Sequence, residues 1–162
     1  MPPVDAPYRI RRAVRGDIPA LAQMTGDTIV RINSRDYTPR QIEAWAARGA
    51  STARWEELWE TSLSFFVAHD GQGRLLGVVS VDSRGYLHSL FVHCERQGEG
   101  IATALLFAAQ DYARARGADR LYSEVSRTAR PFFLARGFRE IASQRVVVGG
   151  VAMENFRMEK CL

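Results

Sequence analysis

The chain's 162 residues, 46% of them hydrophobic, suffice for one substantial core, so a single domain over residues 1–162 is expected. The formal charge of +4 rests on arginine, Lys160 being the one lysine, and no run of like charge is long enough for a nucleic-acid arm. No apolar run approaches the roughly 18 residues that cross a bilayer, the start Met1-Pro2-Pro3-Val4-Asp5 is unlike an export signal, and Cys94 and Cys161 lack metal-ligand or disulfide spacing, which predicts a cytoplasmic protein without membrane, metal or nucleic-acid partners.

Tyr8 to Val14 predicts a strand, with Tyr8, Ile10 and Arg12 alternating against Arg9 and Arg11. Asp17 opens an apolar pattern through Ile18, Leu21, Ala22, Met24, Thr25, Ile29 and Ile32, helical in spacing despite Gly26. Thr38 and Pro39 form an N-cap and first-turn pair before a short helix over Gln41 to Ala47, and Arg54 to Glu60 is a third helical piece. Phe65 to His69 and Leu75 to Val81 read as a hairpin around Gly71-Gln72-Gly73. Leu87 to Val92 is the next strand, and Gly100 to Arg116 is a helix whose Ile101, Leu105, Ala108, Ala109 and Tyr112 share a face, stopped by Gly117. A strand over Leu121 to Val125 follows, then a helix over Ala129 to Arg136 ended by Gly137. Strands over Phe138 to Val148 and Met153 to Met158 flank a turn at Gly149-Gly150. This order of strands and helices predicts a mixed α/β or α+β fold.

The segment that carries chemistry is Leu87-His88-Ser89-Leu90-Phe91-Val92 followed by Gln97-Gly98-Glu99-Gly100-Ile101-Ala102-Thr103. Strand, glycine-rich turn and helix make an anion site, because the first N–H groups of a helix lack intrahelical partners and sit at its positive end, and glycine lets the anion approach. A dinucleotide fingerprint needs a further Gly or Ala where Thr103 stands, and a phosphate-binding P-loop needs Gly-Lys-Ser/Thr, so neither fits.

Gln97-Gly98-Glu99-Gly100-Ile101-Ala102 resembles the acetyl-CoA motif of the GNAT superfamily (Q or R, x, x, G, x, G or A), and Arg130-Pro131-Phe132-Phe133-Leu134-Ala135-Arg136-Gly137-Phe138 resembles its A-x-x-F-Y-x-x-x-G-F. Tyr37 to Ala46 also resembles the substrate-side helix of the small bacterial YafP-like branch. The resemblance covers essentially the whole chain. It implies a central twisted, mostly antiparallel sheet of six to seven strands flanked by four to five helices. It further implies acetyl-CoA as co-substrate, a primary amine of a small molecule, an amino acid, or a peptide or protein as acceptor, and a monomer or homodimer. By the same resemblance the backbone of Leu90, Phe91 and Val92 pairs with the pantetheine arm and acetyl carbonyl. The N–H groups of Gly98, Glu99, Gly100, Ile101, Ala102 and Thr103 cradle the pyrophosphate. Ser126 stands where many relatives have an asparagine that holds the cofactor, and Phe133 stands where the family's general acid, a tyrosine, is usual.

Acetyl transfer needs a neutral amine, whereas a lysine-like amine has a pKa of about 10.4, so a base or a water chain must take its proton. It also needs a donor to the developing oxyanion, for which the N–H of Phe91 or Val92 is the candidate. His88, on the same strand face as Leu90 and Val92 by alternation, is the first candidate base, titrating near pH 6.5 if unperturbed. His88-Ser89-Leu90-Phe91-Val92-His93 resembles the His-Ala-Leu-Ala-Val-His of arylalkylamine acetyltransferases, in which the position of His88 is catalytic; a partly buried structural histidine is the other reading. Glu124 is the second candidate base. With Phe133 unable to donate a proton, Tyr86, Tyr122 or solvent must protonate the departing thiolate, unless the chain is a non-catalytic acyl-CoA-binding module. Tyr37, Trp45, Trp55, Trp59 and Phe66 are candidates for an acceptor pocket or for core, His69 and His93 read as surface groups, and Cys94, just before the helix start, reads as an ordinary thiol.

Overall fold

The predicted strands and helices all form, with shifted ends, in a computed structural model that describes residues 2–162. In chain order they are β1 (Arg9–Arg12), α1 (Ile18–Arg31), α2 (Pro39–Gly49), α3 (Thr52–Trp59), β2 (Ser64–His69), β3 (Leu75–Val81), β4 (Tyr86–Val92), α4 (Ile101–Ala115), β5 (Arg120–Ser126), α5 (Arg130–Ala135), β6 (Arg139–Val148) and β7 (Val151–Cys161). One seven-stranded sheet has the order β1-β2-β3-β4-β5-β7-β6, and every neighbouring pair is antiparallel except β4 with β5. The observed sheet and five helices match the expected architecture.

Strand alternation divides the core between the two faces of this sheet. Ala68 and Val79 pack with Leu105, Ala109 and Phe133 of α4 and α5, whereas Val67 and Val78 pack with Leu21 and Trp55 of α1 and α3. A third cluster joins Ile29 of α1 to Tyr37, Ile42 of α2 and Met153 of β7. Among the described residues, no helix is long and apolar enough to cross a membrane.

Local signals set most boundaries. Thr38 Oγ1 accepts the Gln41 N–H at 3.2 Å while Gln41 Oε1 accepts the Thr38 N–H at 2.9 Å, a reciprocal capping box that starts α2. Ser51 Oγ accepts the Arg54 N–H and starts α3 at Thr52, two residues earlier than the apolar spacing predicts. β1 is shorter than Tyr8 to Val14, because Asp17 folds back to accept the Val14 N–H and both arms of the Arg11 guanidinium, turning the chain into a short 3-10 segment. β7 overruns its predicted end to Cys161, since β5 and β6 pair with it on both sides.

Gly26 is tolerated inside α1 for a packing reason. A Cβ there would lie 2.8 Å from Ala50 Cβ, and a Cβ on Gly49 would lie 2.7 Å from Ile29 Cδ1, so the two glycines let α1 and the end of α2 approach closely. Gly26→Leu is expected to lower the urea midpoint by the equivalent of about 1–3 kcal/mol through overpacking, despite leucine's better helix propensity. An unchanged midpoint would show that the two helices part without cost.

Candidate active site

The sheet opens at its parallel junction. β4 and β5 pair only at Tyr86 with Tyr122 and Leu87 with Ser123, and Ser123 Oγ donates to the Leu87 carbonyl at 2.7 Å where the pairing ends. β3 holds the outer edge of β4 and β7 holds that of β5, so the inner edge of β4 is left bare beyond Leu87. The His93 N–H donates to the Leu76 carbonyl at 2.8 Å. By the alternation of an antiparallel ladder, the backbone groups of Phe91 then face β3 and those of Leu90 and Val92 face the opening. The Val92 carbonyl takes Thr28 Oγ1 at 3.1 Å and Gln97 Nε2 at 2.8 Å. The Leu90 N–H and carbonyl and the Val92 N–H are the groups presented to the opening. This corrects the assignment of Phe91 as an oxyanion donor, because its N–H is directed at Val78.

A β-bulge changes the direction of His88. Ser89 pairs with Ser80 and Leu87 with Val81, which leaves His88 as the extra residue and shifts the side-chain alternation by one. Leu90 and Val92 therefore pack with the α4 side of the core, while His88 stands beside Tyr86 with ring centroids 6.2 Å apart, not on the face of Leu90 as simple alternation predicts. Phe91 packs on the side of α1 to α3, 6.3 Å from Trp45. His88 Nδ1 is 2.7 Å from Ser89 Oγ. Burial, then the positive charges of Arg54 and Arg48, push the imidazole pKa down to about 4 instead of 6.5. His88 is thus neutral at pH 7, with less thrust as a base than an unperturbed imidazole.

The glycine-rich turn is built around two left-handed residues, Gly98 at φ 74° and Gly100 at φ 82°, a region that costs side-chain-bearing residues energy. Gly100 caps α4, the first helical bond runs from the Ala104 N–H to the Gly100 carbonyl, and no side chain caps the end. The N–H groups from Gly98 to Thr103 have no acceptor among the described residues and are left as a run of free donors at the start of α4. Gln97 does not add to that run; its amide donates to the Val92 and His93 carbonyls and ties the loop to β4. Glu99 pairs with Arg96 at 2.8 Å, which offsets a negative charge beside the donors. Tyr8 Oη donates to the Gly100 carbonyl at 3.3 Å from ninety-two residues away. Arg136 reaches Thr103 Oγ1 at 2.8 Å and brings a cation to the same helix end.

A cavity of about 480 Å³ lies along the β4–β5 opening and reaches the glycine-rich turn and α4 at Gln97 and Ala102. Leu90, Ala102, Ser126 and Phe133 line it toward α4 and α5, and Tyr37, Trp45, Arg48, Arg54 and His88 line it toward α1 to α3. Thr25 Oγ1, Thr128 Oγ1 and Asn155 Oδ1 on its wall are buried without a hydrogen-bond partner in the structure. Such atoms are costly unless something polar reaches them.

Residues 33–160 match the family profile described as an acetyltransferase (GNAT) domain. The chain belongs to the GNAT acetyltransferase family. It is 31% identical over 150 residues to the uncharacterized N-acetyltransferase YafP of Escherichia coli (strain K12), covering 93% of each chain. Its fold matches a Rhodopseudomonas palustris structure described as a GCN5-related N-acetyltransferase and as a class-II aminotransferase, with TM-score 0.90 and 27% identity over 98% of this chain and 97% of that one. The PaiA N-acetyltransferase of Thermoplasma acidophilum, solved with coenzyme A, shares the fold at TM-score 0.75 and 18% identity over 96% of this chain and 99% of that one. As a GNAT member the chain is an acetyl-transferring enzyme.

In this GNAT chain Phe133 is buried and packs edge-on against Phe138 and Phe132, with centroids 4.8 and 5.5 Å away. Tyr86 and Glu124 meet at the cavity: Tyr86 Oη donates to Glu124 Oε1 at 3.3 Å, and Gln144 Nε2 donates to Glu124 Oε2 at 3.2 Å. Burial and the Glu124 charge push the Tyr86 pKa up to about 12, so its proton stays on. Tyr122 packs at a tilt against Tyr86, with ring centroids 5.4 Å apart, and lies under the Arg120 guanidinium, outside the cavity lining. Ser126 Oγ accepts the Ala129 N–H at 3.1 Å and so shapes the turn into α5. Trp59 stacks on Phe65, and Phe66 packs with Tyr112, so these two aromatics are core. Tyr37 fastens the wall: its hydroxyl accepts the Arg127 N–H at 2.8 Å and donates to the Glu154 carbonyl at 3.0 Å. Sequence reasoning missed Tyr8, Thr28, Arg48, Arg54, Arg136 and Asn155. Of these only Thr28, a polar residue on the apolar face of α1, left a visible signal.

Proposed function

We propose that the chain transfers the acetyl group of acetyl-CoA directly to a primary amine at the opening between β4 and β5. The observation that carries this reading is the bare Leu90 and Val92 edge leading to the unpartnered N–H groups of Gly98 to Thr103. The Leu90 and Val92 backbone groups suit the amides of an extended pantetheine arm, which adds to the strand as a peptide does. The donors at the start of α4, with Arg136 beside Thr103, suit a pyrophosphate. Acetyl-CoA supplies an activated thioester. Of the two N–H groups facing the opening, that of Leu90 lies nearer the junction with β5 and takes the oxyanion role, a donor worth about 3 kcal/mol in other enzymes.

His88, neutral and at the same junction, accepts the amine's proton as nitrogen attacks the carbonyl carbon and the carbon–sulfur bond breaks. Because the site disfavours imidazolium, His88 passes that proton on, with Glu124 and water as the next acceptors. The thiolate, whose thiol pKa is about 8.5, leaves unaided and is protonated by solvent, so the absence of a tyrosine at Phe133 does not stop the reaction. The test is release of free CoA thiol from acetyl-CoA across an amine panel, with the product identified by mass spectrometry. Thiol release that requires an amine and yields its N-acetyl derivative is expected; binding without amine-dependent release would leave an acyl-CoA-binding module.

A further inference from the structure

We propose that the acceptor amine also carries an oxyanion, a carboxylate or a phosphate, held by Arg48 and Arg54 on the α2–α3 wall of the cavity. The proposal rests on the amine-acetylation reading and names the class of amine. Both arginines line the cavity on the side away from α4 and α5, so they are not part of the donor run at Gly98 to Thr103. Arg48 ends α2 and Arg54 lies in the first turn of α3, six residues apart in sequence across the short connection at Ala50-Ser51.

The carboxylates on the cavity wall already have partners. Glu154 pairs with Arg127 at 2.9 Å, and Glu124 accepts hydrogen bonds from Tyr86 and Gln144. Arg48 has no carboxylate within 4.0 Å among the described residues, and the one carboxylate near Arg54 is Glu57 at 3.4 Å, whose side chain is 71% exposed. An exposed pair of that kind contributes little. Two guanidinium groups without a committed counter-ion, on the wall of a cavity that buries an imidazole, are matched by a planar or tetrahedral oxyanion. That their charges are felt at His88 agrees with this placement. The same cavity also holds the complementary sign: Glu124, on β5 across the junction from His88, suits an ammonium group before it loses its proton, while Trp45 and Phe91 supply an apolar wall. The arrangement fits an amino acid-like molecule. A polyamine would set a second cation against Arg48 and Arg54.

The test compares kcat/KM for L-amino acids with their carboxamides, phosphoethanolamine with ethanolamine, and spermidine, in the wild type and in Arg48→Gln/Arg54→Gln. Arg48 is exposed, Arg54 is half-buried but outside the hydrophobic core, and the Arg54 N–H that caps on Ser51 belongs to the backbone, so the double variant keeps its fold and its acetyl-CoA thermal shift. An acid-over-amide preference of about tenfold or more in the wild type, falling toward one in the variant, is expected from loss of a charge-assisted contact. Carboxylate and phosphate sources separate by which pair shows the Arg-dependent preference. Amides or spermidine used as well as the acids, or a preference that survives the substitutions, overturns the proposal. Failure of the underlying reading has its own signature, no amine-dependent thiol release at all. In that case saturable quenching of tryptophan emission by the same acids, lost in the variant, supports the anion site, and its absence in the wild type overturns it.

Discussion

Gly100→Glu abolishes the rise in melting temperature that acetyl-CoA produces, while the protein stays folded. The wild-type rise follows from mass action, about 2.7 kcal/mol of stabilisation when ligand is present at a hundred times its Kd. Gly100 sits at φ 82° as the cap of α4, and the nearest atom to an added Cβ is Tyr8 Oη at 3.7 Å, so there is space for a side chain. The left-handed backbone costs a substituted residue about 1–2 kcal/mol, which the fold can bear. Binding cannot bear the change, because a carboxylate beside the N–H groups of Gly98 to Thr103 occupies their positive field and repels a pyrophosphate. Gly100→Ala, which adds the Cβ without charge, retains part of the shift. A folded glutamate variant whose melting temperature still rises as in the wild type would move the anion site away from this helix end.

His88→Gln lowers the rate of acetyl transfer at neutral pH by about tenfold to a hundredfold, at the lower edge of what a matched general base supplies, because an imidazole with a pKa of about 4 has reduced thrust. Acetyl-CoA affinity is unchanged, so the loss appears in kcat. The pH profile distinguishes this site from an unperturbed histidine. With Arg48, Arg54 and Tyr86 facing it and Ser89 on Nδ1, His88 stays unprotonated through pH 6.5, and the wild-type profile carries no inflection there. The deficit of the variant shrinks at high pH, where the amine loses its proton unaided. Stability carries the same signature with a definite sign. The unfolded imidazole binds a proton near pH 6.5 and the folded one only near 4, so stability falls as the pH drops from about 6.5 to about 4. That loss is about 3 kcal/mol at most, less for residual solvent contact, and His88→Gln removes it from an equilibrium denaturation series taken across the window. Full activity of the glutamine variant at every pH would take His88 out of the mechanism.

Much of the architecture is encoded locally. Thr38, Pro39 and Gln41 specify the start of α2 among themselves, Gly117 and Gly137 stop α4 and α5 because each takes a positive φ, and Gly98 and Gly100 announce the turn that frees the donors of α4. These features depend on neighbours within a few residues, so the amino-acid order alone determined them, and with them the proposed anion site and the resemblance to an acetyltransferase.

What depends on partners distant in the chain was decided by tertiary structure. The face that His88 occupies follows from the register of β4 against β3, where a bulge adds a residue and defeats the two-residue period. Its pKa follows first from burial and then from the charges of Arg54 and Arg48, which lie more than thirty residues earlier and reach it only when α2 and α3 pack over the sheet. Which backbone groups face the opening was likewise hidden, since Leu90, Phe91 and Val92 differ only in whether the β3 ladder claims them. Electrostatics and hydrogen-bond direction act through space, and the sequence records only the order in which those groups are strung.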